Sequence, residues 1–107
     1  MRCSTQLATA VLALAASGAV AMPPGDVVAG RRIAEANCIS CHAVSDWPGK
    51  RGADVAPPFA SIANDPARTE MWLRVFLQTP HRRMPDLVMT NREIDDVISY
   101  IGSLRRD

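Results

Sequence analysis

Cys38-Ile39-Ser40-Cys41-His42 places two thiols three residues apart, with an imidazole directly after the second. Residues i and i+3 of a helical turn share a face, so both sulfurs can meet one edge of a flat ligand while the imidazole swings beneath it. That spacing is the attachment pattern for haem c, in which the thiols add to two vinyl groups and the histidine ligates the iron. Three other chemistries draw on the same residue types. A thioredoxin-type dithiol needs a βαβ setting, and nothing here alternates strand with helix. A zinc site would have to collect Cys38, Cys41, His42 and His81, yet Cys41 and His42 are adjacent and point different ways. A disulfide between Cys38 and Cys41 suits an oxidising compartment but leaves His42 without a role.

The start of the chain bears on the compartment. Met1-Arg2, an apolar stretch from Leu7 to Val20 and Ala19-Val20-Ala21 have the charged, apolar and small-residue regions of a secretory signal peptide. The apolar stretch falls short of the roughly 20 residues needed to span hydrocarbon, so residues 1–21 are expected to be cleaved and no stable membrane insertion to remain. There is no twin arginine, which points to the general secretory route and a periplasmic product. Cys3 leaves with the signal, and residues 22–107 form one small domain. Arg2 is the only charged residue removed, so twelve Lys+Arg become eleven against eleven Asp+Glu, a formal charge of zero. Two haem propionates would make the loaded protein mildly acidic, which argues against nucleic-acid binding through a broad basic field. With one Tyr, two Trp and two Phe, the polypeptide has little bulk to fill a core, and domains this small are marginal without a staple. A buried, covalently attached haem would supply the missing apolar mass.

Helices must position these groups. Asp26 can cap a first helix running to about Asn37, which delivers Cys38. Gly30 within it lowers helix propensity by about 1 kcal/mol against Ala, a cost that suggests close approach by another element. From Ser45 to Pro58 the glycines and prolines read as loop, and Phe59–Ala63 as a short helical turn. Asn64 or Asp65 with Pro66 marks a start for a third helix to Gln78, stopped by Pro80. Met71, Trp72, Val75 and Phe76 are expected to form its apolar core face. Thr90-Asn91-Arg92-Glu93 matches a capping box, followed by the stripe Ile94, Val97, Ile98, Ile101 and Leu104. This last helix should cross the first, with Gly30 near Val97 and Tyr100.

The iron's second axial position has five candidates in Met22, Met71, Met84, Met89 and His81. Met22 sits at a frayed terminus, Met71 reads as helix core, Met89 as an apolar residue beside the capping Thr90, and His81 as a loop imidazole. Met84 lies between Pro80 and Pro85, where a thioether can be held without competing with helix geometry, and is favoured.

From Gly25-Asp26 through Gly30-Arg31-Arg32-Ile33, Cys38 to His42, Thr79-Pro80-His81-Arg82-Arg83-Met84-Pro85 and on to Tyr100-Ile101, the chain resembles the small class I c-type cytochromes of bacteria. The resemblance implies an all-α cytochrome c fold, three to four short helices packed around one covalent haem, with the terminal helices crossing. It implies thioethers at Cys38 and Cys41, His42 as proximal and Met84 as distal ligand. It also implies a proline carbonyl that accepts the proximal imidazole's other proton, and Pro57 of Ala56-Pro57-Pro58-Phe59 occupies the matching place. Many carriers of this class ring the haem edge with lysines, whereas this chain has only Lys50 and instead flanks Met84 with Arg82 and Arg83. Trp47 and Trp72 read as packed residues, although each has an indole N–H that could reach a propionate.

A haem closed on both faces moves electrons and leaves dioxygen no open site. The expected function is a monomeric periplasmic one-electron carrier between a dehydrogenase or quinol-oxidising complex and a terminal oxidase or reductase. A gas-binding haem sensor with a labile Met84 and a dedicated cytochrome subunit of a periplasmic oxidoreductase are the alternatives. No nucleophile–base constellation or paired carboxylates suggest an enzyme.

Overall fold

In the computed structural model, residues 25–47, 49 and 51–106 are described. The expected signal peptide at residues 1–21, together with Met22 and Lys50, lies outside them. Four helices follow in chain order: α1 Val27–Asn37, α2 Phe59–Asn64, α3 Glu70–Leu77 and α4 Asn91–Ser103. Among the described residues there is no strand, only an isolated parallel bridge between His42 and Ala56.

Helix α1 starts where the Asp26 carboxylate accepts from the N–H groups of Val28 and Ala29, two of the donors that a helix start leaves orphaned. It ends at Cys38, whose N–H still donates to the Ala34 carbonyl. Helix α4 opens with the full capping box: the Thr90 hydroxyl accepts from Glu93 N–H, and the Glu93 carboxylate accepts from Thr90 N–H at 2.8 Å. Ile94, Val97, Ile98, Tyr100 and Ile101 are buried along it, and Leu104 is half-buried.

α1 packs against α4, and Gly30 is where they touch. A Cβ built on Gly30 would overlap the Asp96 carbonyl and come within 2.9 Å of Tyr100 Cβ. The expected partner Tyr100 is therefore met, while Asp96 rather than Val97 supplies the backbone contact. Asp96 is itself buried and accepts from the Asp26 N–H at 2.7 Å, so one side chain of α4 reaches the start of α1. α2 and α3 also rest on α4, and no other pair of helices makes direct contact among the described residues.

α3 departs from expectation at its start and in its buried face. Asp65-Pro66 does not open it. The Asp65 carboxylate accepts from Ala67 N–H, and the Asp65 carbonyl from Arg68 N–H, so the segment closes as a turn, and the helix begins four residues after Pro66, capped by the Thr69 hydroxyl. Met71 and Val75 are 68% and 56% exposed, while Leu73 is 6% exposed. At 100° per residue, 73 and 77 lie on the side of the helix opposite 71 and 75. Trp72 and Phe76 fall between, and both are half-buried.

Candidate functional site

The Cys38–His42 pentapeptide is wound on the end of α1. His42 N–H and Cys41 N–H both donate to the Cys38 carbonyl, at 2.9 and 3.2 Å, which prolongs the helix by one tight turn and keeps the two cysteines together. No disulfide joins them. Burial pushes the Cys38 thiol up to about 11, because an apolar surrounding disfavours the thiolate.

The 51–58 loop is laced across this turn. Ala53 N–H donates to the Ile39 carbonyl at 2.9 Å, Ala56 N–H to the Cys41 carbonyl at 2.8 Å and Phe59 N–H to the Ala43 carbonyl at 2.9 Å. Gly52 makes the lacing possible. Its φ of +94° lies in the region that favours glycine, and a Cβ there would overlap the His42 carbonyl and reach within 2.8 Å of Ile39 Cγ1. The result is to bring the Pro57 carbonyl 2.7 Å from His42 Nδ1. The imidazole donates there, so its Nε2 carries a lone pair, and that nitrogen makes no hydrogen bond among the described residues. Of the two adjacent prolines it is Pro57 that meets the ring. Phe59 backs His42, centroids 5.4 Å apart, and stands 6.4 Å from Tyr100. Tyr100 in turn donates to the buried Val44 carbonyl at 2.5 Å.

Met84 lies elsewhere. It lines a cavity of about 320 Å³ between the C-terminal end of α3 and the start of α4, together with Phe76, His81, Leu87, Met89 and Ile94. None of Cys38, Cys41, His42 or Pro57 lines it. The structure thus gathers four of the five expected site residues at one place and sets the fifth against a second, largely apolar wall. Arg82 and Arg83 are exposed beside Met84, and Trp47 is exposed too, while Trp72 packs face to face on Phe76.

The donor set fits a haem c. Two thiols sit at helical spacing, an imidazole has one nitrogen held by a carbonyl and the other open to a metal, and a half-buried thioether lies on an apolar wall. No group of three or more His, Cys, Asp or Glu gathers among the described residues, which removes support from the zinc alternative. Three contributors had no signal in the local sequence: Gly52, whose role is a long-range approach; Asp96, buried in a helix that otherwise buries apolar residues; and Phe59 behind His42.

Fold and site together define a helical protein built around a covalently attached porphyrin. The chain belongs to the cytochrome c family described as "Cytochrome C oxidase, cbb3-type, subunit III", whose model matches residues 25–101. It is similar to the protein named cytochrome c-552 of Bradyrhizobium diazoefficiens, 40% identical over 95 residues, 89% of each chain. No solved structure matches. The protein is an electron-transfer protein, not an enzyme, and its cofactor is haem c, bound covalently. Its partners are redox proteins. No helix among the described residues is long and apolar enough to cross a membrane.

Proposed function

We propose that Cys38 and Cys41 would hold the haem through thioethers, that His42 Nε2 and the Met84 sulfur would supply the protein's two ligands to its iron, and that the protein is a periplasmic one-electron carrier. The observation that carries this reading is the 2.7 Å contact between His42 Nδ1 and the Pro57 carbonyl. It fixes the tautomer in which Nε2 can ligate, and it strengthens that nitrogen as a donor.

Bound haem supplies a ferrous/ferric couple. The residues do the rest. The Met84 thioether, paired with the His42 imidazole, would favour the ferrous state and raise the potential, and with both side chains engaged dioxygen would find no open place. Because the same two side chains serve both oxidation states, little has to move when an electron passes. The signal-like residues 1–21 support export, and the donor and acceptor would be a dehydrogenase or quinol-oxidising complex and a terminal oxidase or reductase.

The test is spectroscopic. The ferric protein should show a sulfur-to-iron charge-transfer band at the red end, and Met84→Ala should lose it while keeping the covalent haem mass on denaturation. A band that survives in the variant would show that Met84 is not the ligand. Fast, stoichiometric carbon monoxide binding by the reduced wild type would favour a gas sensor over a carrier. The family's description as an oxidase subunit favours a second reading, a cytochrome tied to one membrane oxidase, and co-purification of a stable complex would decide for it.

A further inference from the structure

The segment that carries Met84 is tethered mainly at its ends. Before it, Thr79 N–H and Thr79 Oγ1 donate to the Phe76 and Val75 carbonyls, at 3.2 and 2.6 Å. After it, Met89 packs on the core and Thr90 caps α4. Among the described residues, no hydrogen bond or ion pair holds any position from 80 to 88. Among the described residues only one ring contact reaches into the segment: His81 meets Phe76 with centroids 3.6 Å apart and the ring planes tilted by 31°. Phe76 stacks on Trp72 at 4.6 Å and 20°, and the Arg68 guanidinium covers Trp72 at 4.0 Å from the ring centroid. The stack runs along α3, which Leu73 and the Arg74–Asp95 ion pair root on the rest of the fold.

We propose that His81 is a positioning residue for Met84, its ring packed against Phe76 and holding the 80–88 segment so that the thioether would stay at the iron. This rests on the reading of Met84 as axial ligand. A chain tethered only at its ends samples many conformations, and each one that withdraws the thioether opens the iron to an outside ligand. A packed ring pair restricts that freedom three residues before Met84. The apparent affinity of an outside ligand scales with the open fraction, so it reports the hold that His81 exerts.

The experiment is a titration of the ferric, haem-loaded protein with free imidazole, followed through the charge-transfer band, in wild type, His81→Ala, His81→Phe and Met84→Ala. His81→Ala should bind imidazole roughly three- to tenfold more tightly than wild type, and His81→Phe, which keeps a ring to stack, should return to the wild-type affinity. Phe76→Leu, which removes the stack from the helix side, should move in the same direction as His81→Ala. Wild-type affinity in both stack-breaking variants would overturn the proposal. So would failure of the phenylalanine to restore it, since the imidazole nitrogen and not the ring would then matter. Met84→Ala separates the two readings: if that variant keeps the band, the ligand assignment itself has failed, whatever His81 does.

Discussion

His42 carries its tautomer in its hydrogen bond, and the chain builds that bond through backbone contacts far more than through side chains. The spacing of the cysteines and the histidine is visible in the sequence because it is local: five consecutive residues hold the whole pattern that the proposed attachment uses. Pro57 was reachable only through the family resemblance, and Gly52 not at all, since its significance is a positive φ and an approach to a carbonyl ten residues earlier. Tyr100 stands behind the same site, and its hydroxyl is the donor for the Val44 carbonyl. Burial raises its pKa above the ordinary value of 10.0. A folded value above the unfolded one means that this contribution to stability is complete below about pH 10 and is lost as pH rises through the folded value. Tyr100→Phe should therefore cost about 1–3 kcal/mol at neutral pH, because a buried carbonyl loses its donor, and should flatten the alkaline fall. Thermal melts of both proteins between pH 8 and 11 measure the two effects, and an unchanged alkaline slope in the variant would remove Tyr100 as their source.

At the scale of elements, α1 and α4 could be read almost to the residue because each announces its start with a side chain that satisfies orphan backbone donors. α3 could not, because two start signals compete within five residues. Asp65-Pro66 has the composition of a helix start, but the Asp65 carboxylate is spent on closing a turn, which leaves Thr69 as the cap. The buried face was misjudged for a related reason: in a helix of eight residues nearly every position is apolar, so the periodicity does not say which side faces inward, and packing on α4 decides. The crossing of α1 and α4 gives a sharper test. By helix propensity alone, Gly30→Ala would stabilise α1 by about 1 kcal/mol. The added methyl would meet the Asp96 carbonyl, and such overpacking costs about 1–3 kcal/mol. Because the obstacle is backbone and cannot rotate away, the upper end applies, and a net loss of about 1–2 kcal/mol is expected in chemical denaturation of the haem-loaded protein. A gain in stability would mean that the helices do not approach as closely as the structure places them.

For the molecule as a whole, α4 is the common support: the other three helices each rest on it and on no other helix among the described residues. The Cys38–His42 turn at the end of α1 and the Met84 segment after α3 are thus joined mainly through α4. This arrangement was only half legible. Composition pointed to a core short of bulk, and the amphipathic stripe of α4 was plain, but which helices touch one another is set by packing that no single segment encodes. Charge is the other whole-molecule property, and here the net value misleads. A chain with twelve Lys+Arg against eleven Asp+Glu has little overall field with which to draw a partner, so any steering must come from where the unpaired charges stand. Of the described arginines, only Arg32, Arg82 and Arg83 have side chains that make neither an ion pair nor a hydrogen bond. Two of those three flank Met84, and both are exposed. An acidic redox partner approaching that face would meet two cations that no ion pair ties down, against the single carboxylate of Asp86 in the same segment. Replacing both, Arg82→Glu and Arg83→Glu, should slow second-order electron exchange with an acidic partner by roughly tenfold at low salt, within the range by which steering alters association rates. The gap between variant and wild type should close as ionic strength rises toward 1 M, where the screening length falls to about 3 Å. Stopped-flow rates over a salt series measure both. A deficit that persisted at high salt would show that the arginines act through packing or through the haem environment, and equal rates at low salt would show that partners approach by another face.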